Sequence, residues 1–300
     1  MTDPLATSGL VVVDKPAGLT SHDVIARLRR AFGTRKVGHA GTLDPMATGV
    51  LVVGIERGTR FLAHLVAETK SYTGTIRLGA STSTDDAEGE IVSTATPGAV
   101  TGVDDAAIAA GLAELRGEIM QKPSAVSAIK IDGKRAHERV RAGETVDIPA
   151  RPVTIHRLDL TDLRRCGEHI DLDIDVLCSS GTYIRSLARD LGDALGVGGH
   201  LTALRRTSVG PFDISRALPL AEIMDRPKLS LSLDEALAAS FPVLEVTDDE
   251  GAALAMGKWL EPRGLTGVHA AVTPDGRAVA LVKEGRKRLA TVFVARPSTL

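Results

Sequence analysis

The chain has 300 residues, a length that at roughly 100–200 residues per domain suggests two domains, or one large domain with an appendage. With 43% hydrophobic and 25% charged residues, global disorder is excluded, and no apolar run approaches the roughly 18 residues a spanning helix needs. A formal net charge of −2 and only 3% aromatic residues speak, as totals, against a nucleic-acid partner. The total hides an uneven distribution. Residues 1–60 hold eight Lys/Arg against five Asp/Glu, residues 61–120 three against nine, and residues 121–160 eight against five. Two basic blocks therefore flank an acidic one. The densest basic clusters are Arg27, Arg29, Arg30, Arg35 and Lys36, then Lys130, Lys134, Arg135, Arg139 and Arg141, then Arg286-Lys287-Arg288. Each alone is equally the composition of a solvated face.

The start, Met1-Thr2-Asp3-Pro4, has neither a basic n-region nor an apolar h-region, so no secretory signal is expected. Cys166 and Cys178 lack CxxC spacing and a His pair, so neither a disulfide framework nor a zinc site is expected. Reduced thiols in a cytoplasm fit this usage. Leu10-Val11-Val12-Val13 predicts a short buried strand, ended by the turn Asp14-Lys15-Pro16-Ala17-Gly18. Ser21 is the expected cap of a helix with Val24, Ile25, Leu28 and Phe32 on its apolar face and Gly33 as its stop. Tyr72, Gly74, Ile76 and Leu78 alternate with Thr73, Thr75 and Arg77, a strand pattern. Residues 104–116 predict a helix with Ile108, Leu112 and Leu115 on one face. The alternation over Ile170-Asp171-Leu172-Asp173-Ile174-Asp175-Val176 predicts a strand with one wet and one buried face, as in an antiparallel sheet. A helix over 183–195 follows. A boundary is expected near 225–242, and beyond it 267–294 predicts hairpins turning at Thr273-Pro274-Asp275-Gly276. Strands and helices do not alternate regularly, so the expected class is α+β with a mixed or antiparallel sheet. The expected division is a domain over 1–235 and a small β-rich domain over 236–300.

The densest motif is Gly38-His39-Ala40-Gly41-Thr42-Leu43-Asp44-Pro45-Met46-Ala47-Thr48-Gly49. Three glycines and a proline mark a tightly shaped loop. By itself this leaves Asp44 open as a structural turn residue or a catalytic carboxylate. Asp85, Asp86 and Glu88 crowd a Thr/Ser-rich segment and are read as solvated loop acids, since no matching His makes them a metal site. No HExxH, GxxxxGK[ST], strand–GxGxxG–helix or GxSxG pattern occurs. Tyr72 and Tyr183 are the chain's two tyrosines, and both sit in basic company.

Five segments, in order, resemble the motifs of TruB-type tRNA pseudouridine synthases. They are the Asp44 loop, Val13-Asp14-Lys15-Pro16-Ala17-Gly18-Leu19-Thr20-Ser21, and Lys70-Ser71-Tyr72 with Ile76-Arg77-Leu78-Gly79. The fourth is Cys178-Ser179-Ser180-Gly181-Thr182-Tyr183-Ile184-Arg185 with Asp190-Leu191-Gly192, and the fifth is His200-Leu201-Thr202-Ala203-Leu204-Arg205-Arg206. The tail from about residue 240 resembles, more weakly, the family's small PUA-like C-terminal domain. Departures occur at Ser124 and Val126, where the family usually carries a second proline and an aromatic, and at His137, where a tyrosine is usual.

The resemblance implies a stand-alone bacterial enzyme that converts uridine at position 55 of the tRNA T-arm to pseudouridine. Asp44 would be the essential carboxylate, as nucleophile or as base, and both roles need it ionised. Arg185 would be its partner and Tyr72 would stack on the target base. A uridine in a folded loop must be flipped out, at a cost of a few kcal/mol. His39 would fill the space it leaves, and Tyr183 and Leu204 would line the pocket. Lys15, Lys130, Arg29 and Arg30 are the candidate phosphate contacts. The reaction is an isomerisation, so no cofactor and no metal are expected. A cytoplasmic monomer, with no membrane and no guide RNA, is the expected setting, because the long extensions of dyskerin-like members are lacking. Two other readings compete. A glycoside hydrolase would need a second carboxylate as acid, for which Asp86 is the candidate, and would release free uracil. A non-catalytic RNA-folding factor would bind tRNA without turnover.

Overall fold

A computed structural model describes residues 3, 5–65, 68–124 and 148–299, with the backbone of 130–131 and 134–135. The side chains of Lys130, Lys134, Arg135, Arg139, Arg141, Val126 and His137, singled out in the sequence, lie outside the described residues. The chain forms two compact units, each discontinuous in sequence. One comprises Met1–Pro45, Gly49–Val66 and Val209–Leu300, and the other Met46–Thr48 and Ala67–Ser208. Both mix helices with sheet, as the irregular order of elements predicts.

In the first unit the apolar run at 10–13 becomes the strand Gly9–Lys15, buried along nearly its whole length. It pairs antiparallel with Thr48–Ile55, from Gly9 opposite Ile55 to Lys15 opposite Gly49. Val37–Ala40 is a second antiparallel partner of Thr48–Ile55, from Val37 opposite Ile55 to Ala40 opposite Val52. The segment between these last two strands is the Asp44 loop, so a hairpin presents it. The helix Ser21–Ala31 is capped one residue earlier than expected. The Thr20 hydroxyl accepts from the Asp23 N–H, and the Asp23 carboxylate accepts from the Thr20 N–H, a reciprocal capping box. Ser21 is released from capping and is buried. Gly33, at φ +62°, follows the Phe32 cap.

Later in this unit a four-stranded sheet runs in the order Val243–Glu245, Val268–Val272, Ala278–Glu284, Leu289–Val294. The last two pairings are antiparallel hairpins, as the turn signals predict. Its buried side shares one apolar cluster with the N-terminal strands, including Leu10, Val12, Val52, Phe61, Leu237, Ala270, Leu281 and Phe293. Residues 209–300 therefore fold as one compact body with the strands that carry the Asp44 loop.

In the second unit the strand order is Gly199–Val209, Lys70–Leu78, Ile170–Cys178, Arg151–Arg165, Gly117–Gln121. Ile170–Cys178 pairs antiparallel with Lys70–Leu78, with Val176 opposite Tyr72 and Asp171 opposite Arg77. Its apolar residues are buried, and its polar face carries an ion-pair ladder. Arg77 grips Asp171 with two bonds of 2.8 Å, and Arg164 reaches both oxygens of Asp173. The helix Ile184–Ala194 buries Ile184, Leu187, Ala188 and Leu191. Gly192 is required there, because a Cβ would stand 2.1 Å from the Gly199 backbone nitrogen. Among the described residues, no helix is long and apolar enough to cross a membrane.

Candidate active site

Asp44 is half-buried in the loop between the two hairpin strands. The residues on either side of it are held from the N-terminal motif. The Ser21 hydroxyl accepts from the Leu43 N–H at 2.9 Å and donates to the Leu43 carbonyl at 3.2 Å. The Gly18 N–H donates to the Pro45 carbonyl at 2.8 Å. Gly18 sits at φ +80°, a left-handed conformation that suits glycine. Lys15, expected among the phosphate contacts, is 0% exposed. Its ammonium donates to the carbonyls of Pro16 (2.9 Å), Leu19 (2.7 Å) and Pro45 (3.3 Å). A cation spent on buried carbonyls positions a loop and is not offered to phosphate, so the expected role is corrected to a positioning one. The segment 13–21 thus fixes the backbone at Leu43 and Pro45, leaving the Asp44 side chain between two pinned peptide groups.

His39 lies on the strand Val37–Ala40, half-buried, with its ring edge-on to His22 at 5.8 Å. Arg29 and Arg30 occupy the last turn of the helix Ser21–Ala31, exposed, and Arg29 also donates to the Val37 carbonyl at 3.3 Å. The first unit therefore holds Asp44, His39, Lys15, Arg29 and Arg30.

The second unit holds Tyr72, Tyr183, Arg185 and Leu204. Tyr72 is 7% exposed on the strand Lys70–Leu78. Two residues on, Gly74 lets the chain carrying Ala203 come close, since a Cβ there would lie 2.8 Å from the Ala203 carbonyl oxygen. Leu204 lines a cleft of about 480 Å³ together with Met46, Thr48, Thr73 and Arg205, and Arg205 donates to the Thr48 hydroxyl at 3.3 Å. Met46 and Thr48 thus belong to the same unit as Leu204. Tyr183 is the residue before the helix Ile184–Ala194. Its backbone is clamped by Gln121, whose amide oxygen accepts from the Tyr183 N–H at 2.8 Å and whose amide nitrogen donates to the Tyr183 carbonyl at 3.1 Å.

Arg185 is 5% exposed. It donates to the Thr84 carbonyl at 2.9 Å and to the Asp86 carboxylate at 3.1 Å. Asp86 is only 2% exposed, which overturns its reading as a solvated loop acid. It also accepts from the Thr84 hydroxyl and from the Glu88 N–H. Asp85, at φ +59°, turns the chain so that its own carboxylate meets Arg189 at 3.2 Å. Burying this carboxylate would be costly without the guanidinium, so each holds the other in place. Composition concealed Asp86, although a turn-forming Asp85 and Gly89 bracket it.

Lys70 is buried, and burial pushes its ammonium below the ordinary lysine range, with the nearby Arg206 adding to the effect. The neighbouring Cys178 thiol is pushed up to about 11 by burial, which makes it inert rather than nucleophilic.

Comparisons with known families cover nearly the whole chain. Models described as "TruB family pseudouridylate synthase (N terminal domain)", "tRNA pseudouridylate synthase B C-terminal domain" and "tRNA Pseudouridine synthase II, C terminal" match residues 29–184, 185–239 and 241–296. The chain is 72% identical over 300 residues to tRNA pseudouridine synthase B of Corynebacterium efficiens, covering 100% of both chains. It is 56% identical over 292 residues to the same-named protein of Mycobacterium ulcerans, covering 97% and 96%. A chain from a solved Cbf5-Nop10-Gar1 complex superposes with a TM-score of 0.72 at 26% identity, covering 98% of this chain and 87% of that one. The family models and the full-length relatives show a pseudouridine synthase, and the chain belongs to the TruB family.

Proposed function

We propose that this protein isomerises uridine to pseudouridine at position 55 in the T-arm loop of tRNA. The observation that carries the reading is the Asp44 loop, whose flanking peptides are fixed by Lys15, Gly18 and Ser21. A carboxylate held at a set position suits attack at, or proton removal from, a sugar. The bond between C1′ and N1 breaks, the uracil turns, and a bond between C1′ and C5 forms. The C5 proton is lost and N1 gains one, so the product is an isomer and no electrons are exchanged.

In this reading Asp44 is the essential carboxylate and Tyr72 stacks on the flipped base. Arg185, oriented by Asp86, supplies positive charge that favours the ionised carboxylate. His39 fills the vacated space, and Tyr183 and Leu204 line the base pocket. Arg29, Arg30 and Lys130 contact phosphates, which set affinity, while the folded shape of the arm sets the choice of site. Residues 1–235 carry the chemistry and residues 236–300 act as a PUA-like RNA-binding region. This is a functional division, since the C-terminal sheet shares its core with the N-terminal strands. The enzyme works as a cytoplasmic monomer without a guide RNA.

The test is site mapping of pseudouridine in T-arm RNA treated with the purified protein. Pseudouridine at position 55 is the expected result. Free uracil would point to a glycoside hydrolase, and bound but unmodified RNA to a folding factor.

A further inference from the structure

Among the described residues, one group of three side chains can offer ligand atoms to a single metal ion. It is Cys166, His169 and Asp171, whose thiol sulfur, imidazole nitrogen and carboxylate oxygen all lie within 4.8 Å of one another. The arrangement follows from the hairpin that joins Arg151–Arg165 to Ile170–Cys178. Its turn, residues 166–169, is closed by the Cys166 N–H on the His169 carbonyl at 2.9 Å, with Gly167 at φ +74°. Cys166 and His169 are therefore a cross-strand pair one step beyond Arg165 and Ile170, and their side chains share a face of the sheet. Asp171 is two residues on from His169 and returns to that face. The His169 Nε2 stands 3.8 Å from the Asp171 carboxylate.

Ligands at about 2.0–2.3 Å around a tetrahedral ion are about 3.5 Å apart, so the group closes on an ion with a shift of about 1 Å. Cys166, which is exposed, can make that shift. Asp171, 8% exposed, is the fixed member. Arg77 bonds both of its oxygens at 2.8 Å, yet each oxygen keeps a second lone pair. The guanidinium thus orients the carboxylate as an outer-shell partner orients a metal ligand. Thiolate, imidazole and carboxylate together suit Zn2+. The soft sulfur selects it over Mg2+ and Ca2+, which have only the carboxylate to offset the charge of Arg77. Cysteine spacing hides the group, because cross-strand pairing is what brings the three residues together.

We propose that Cys166, His169 and Asp171 form a zinc site at the tip of this hairpin, with water in the fourth position. Binding displaces the thiol proton to solvent and forms bonds from the ion to sulfur, nitrogen and oxygen. The ion ties the turn to the strand Ile170–Cys178 and takes no part in the isomerisation. Tyr72 lies five residues along its strand from Arg77, about 16 Å away.

The full chain, stripped with a chelator and kept reduced, should bind one equivalent of Zn2+ in equilibrium dialysis and no Mg2+. Co2+ in its place should give a thiolate-to-cobalt charge-transfer band. Cys166→Ser and His169→Ala should each weaken Zn2+ binding by about 100-fold or more, and Cys166→Ser should abolish the band. Cys178→Ala, which removes the buried thiol, should change neither. Zinc should raise the melting point of the wild type and not of the first two variants, whose metal-free melting shows that they fold. The kcat for pseudouridine formation should be the same with and without zinc. No stoichiometric binding by the wild type, binding undiminished in Cys166→Ser and His169→Ala, or a cobalt complex without the thiolate band would each overturn the site. A kcat that changed with zinc would overturn its separation from the chemistry.

Discussion

Ser21→Ala is the sharpest perturbation of the loop that presents Asp44. The side chain is 0% exposed, and its hydroxyl makes two bonds to the Leu43 peptide. Removing it leaves a buried N–H and carbonyl without this partner, at a cost of about 2 kcal/mol. Lys15 and Gly18 still hold Pro45, so the fold survives while the residue preceding Asp44 loosens. A displacement of about 1 Å at a reacting group can cost ~100-fold in rate. The expected result is a kcat lowered between about 10- and 100-fold, with tRNA affinity unchanged. Single-turnover pseudouridine formation, alongside filter binding of tRNA, measures both. Thr20→Ala is the control, because it removes the adjacent helix cap at about 1 kcal/mol and leaves the Ser21 bonds in place. It should lower stability without lowering kcat. A Ser21→Ala enzyme with wild-type kcat would refute the claim that this hydroxyl positions the loop.

Asp86→Asn should lower both stability and the rate of pseudouridine formation, since breaking a buried ion pair costs roughly 3–5 kcal/mol. Denaturant unfolding together with turnover would detect it, and a variant normal in both would show the pair to be dispensable. Asp171 is held below the usual carboxylate range chiefly by its hydrogen bonds to Arg77. Its folded pKa is depressed, so its contribution to stability is complete above the unfolded value of about 4 and is lost as pH falls through the folded one. The melting points of wild type and Asp171→Asn should therefore differ at neutral pH and converge on acidification; a constant gap would contradict this. Arg29 and Arg30 changed together to Ala should weaken tRNA binding and reduce the salt slope by about 2, whereas an unchanged slope would make them a solvated helix face.

Much of this architecture was legible where one physical rule dominated. The buried run at 10–13, the alternation at 170–176 and the turn at 273–276 all became the elements their patterns predict. The long strand Arg151–Arg165 was not legible. Bulges near Arg157 and Asp162 reset the inside-outside phase, and charged residues satisfied by neighbouring strands break the apolar pattern. The proposed site residues rest on resemblance, while the structural roles of Lys15 and Asp86 depend on contacts distant in sequence. Lys15 looks like a surface cation until its ammonium is seen on the Pro45 carbonyl, thirty residues on. Asp86 looks solvated until Arg185, ninety-nine residues on, is seen beside it. The net charge misled because a sum discards position, and in the proposed mechanism one flipped base needs few aromatics. Both tyrosines fall in site motifs and the lone tryptophan faces solvent.

In the proposed mechanism Asp44 is the carboxylate on which the isomerisation depends. Asp44→Asn changes a charge without changing the shape of the loop. The measurement is carbodiimide mapping of tRNA incubated with stoichiometric Asp44→Asn protein, with tRNA binding measured in parallel. Wild-type binding with no pseudouridine at position 55 is the expected result. Pseudouridine formed there by the variant would contradict it.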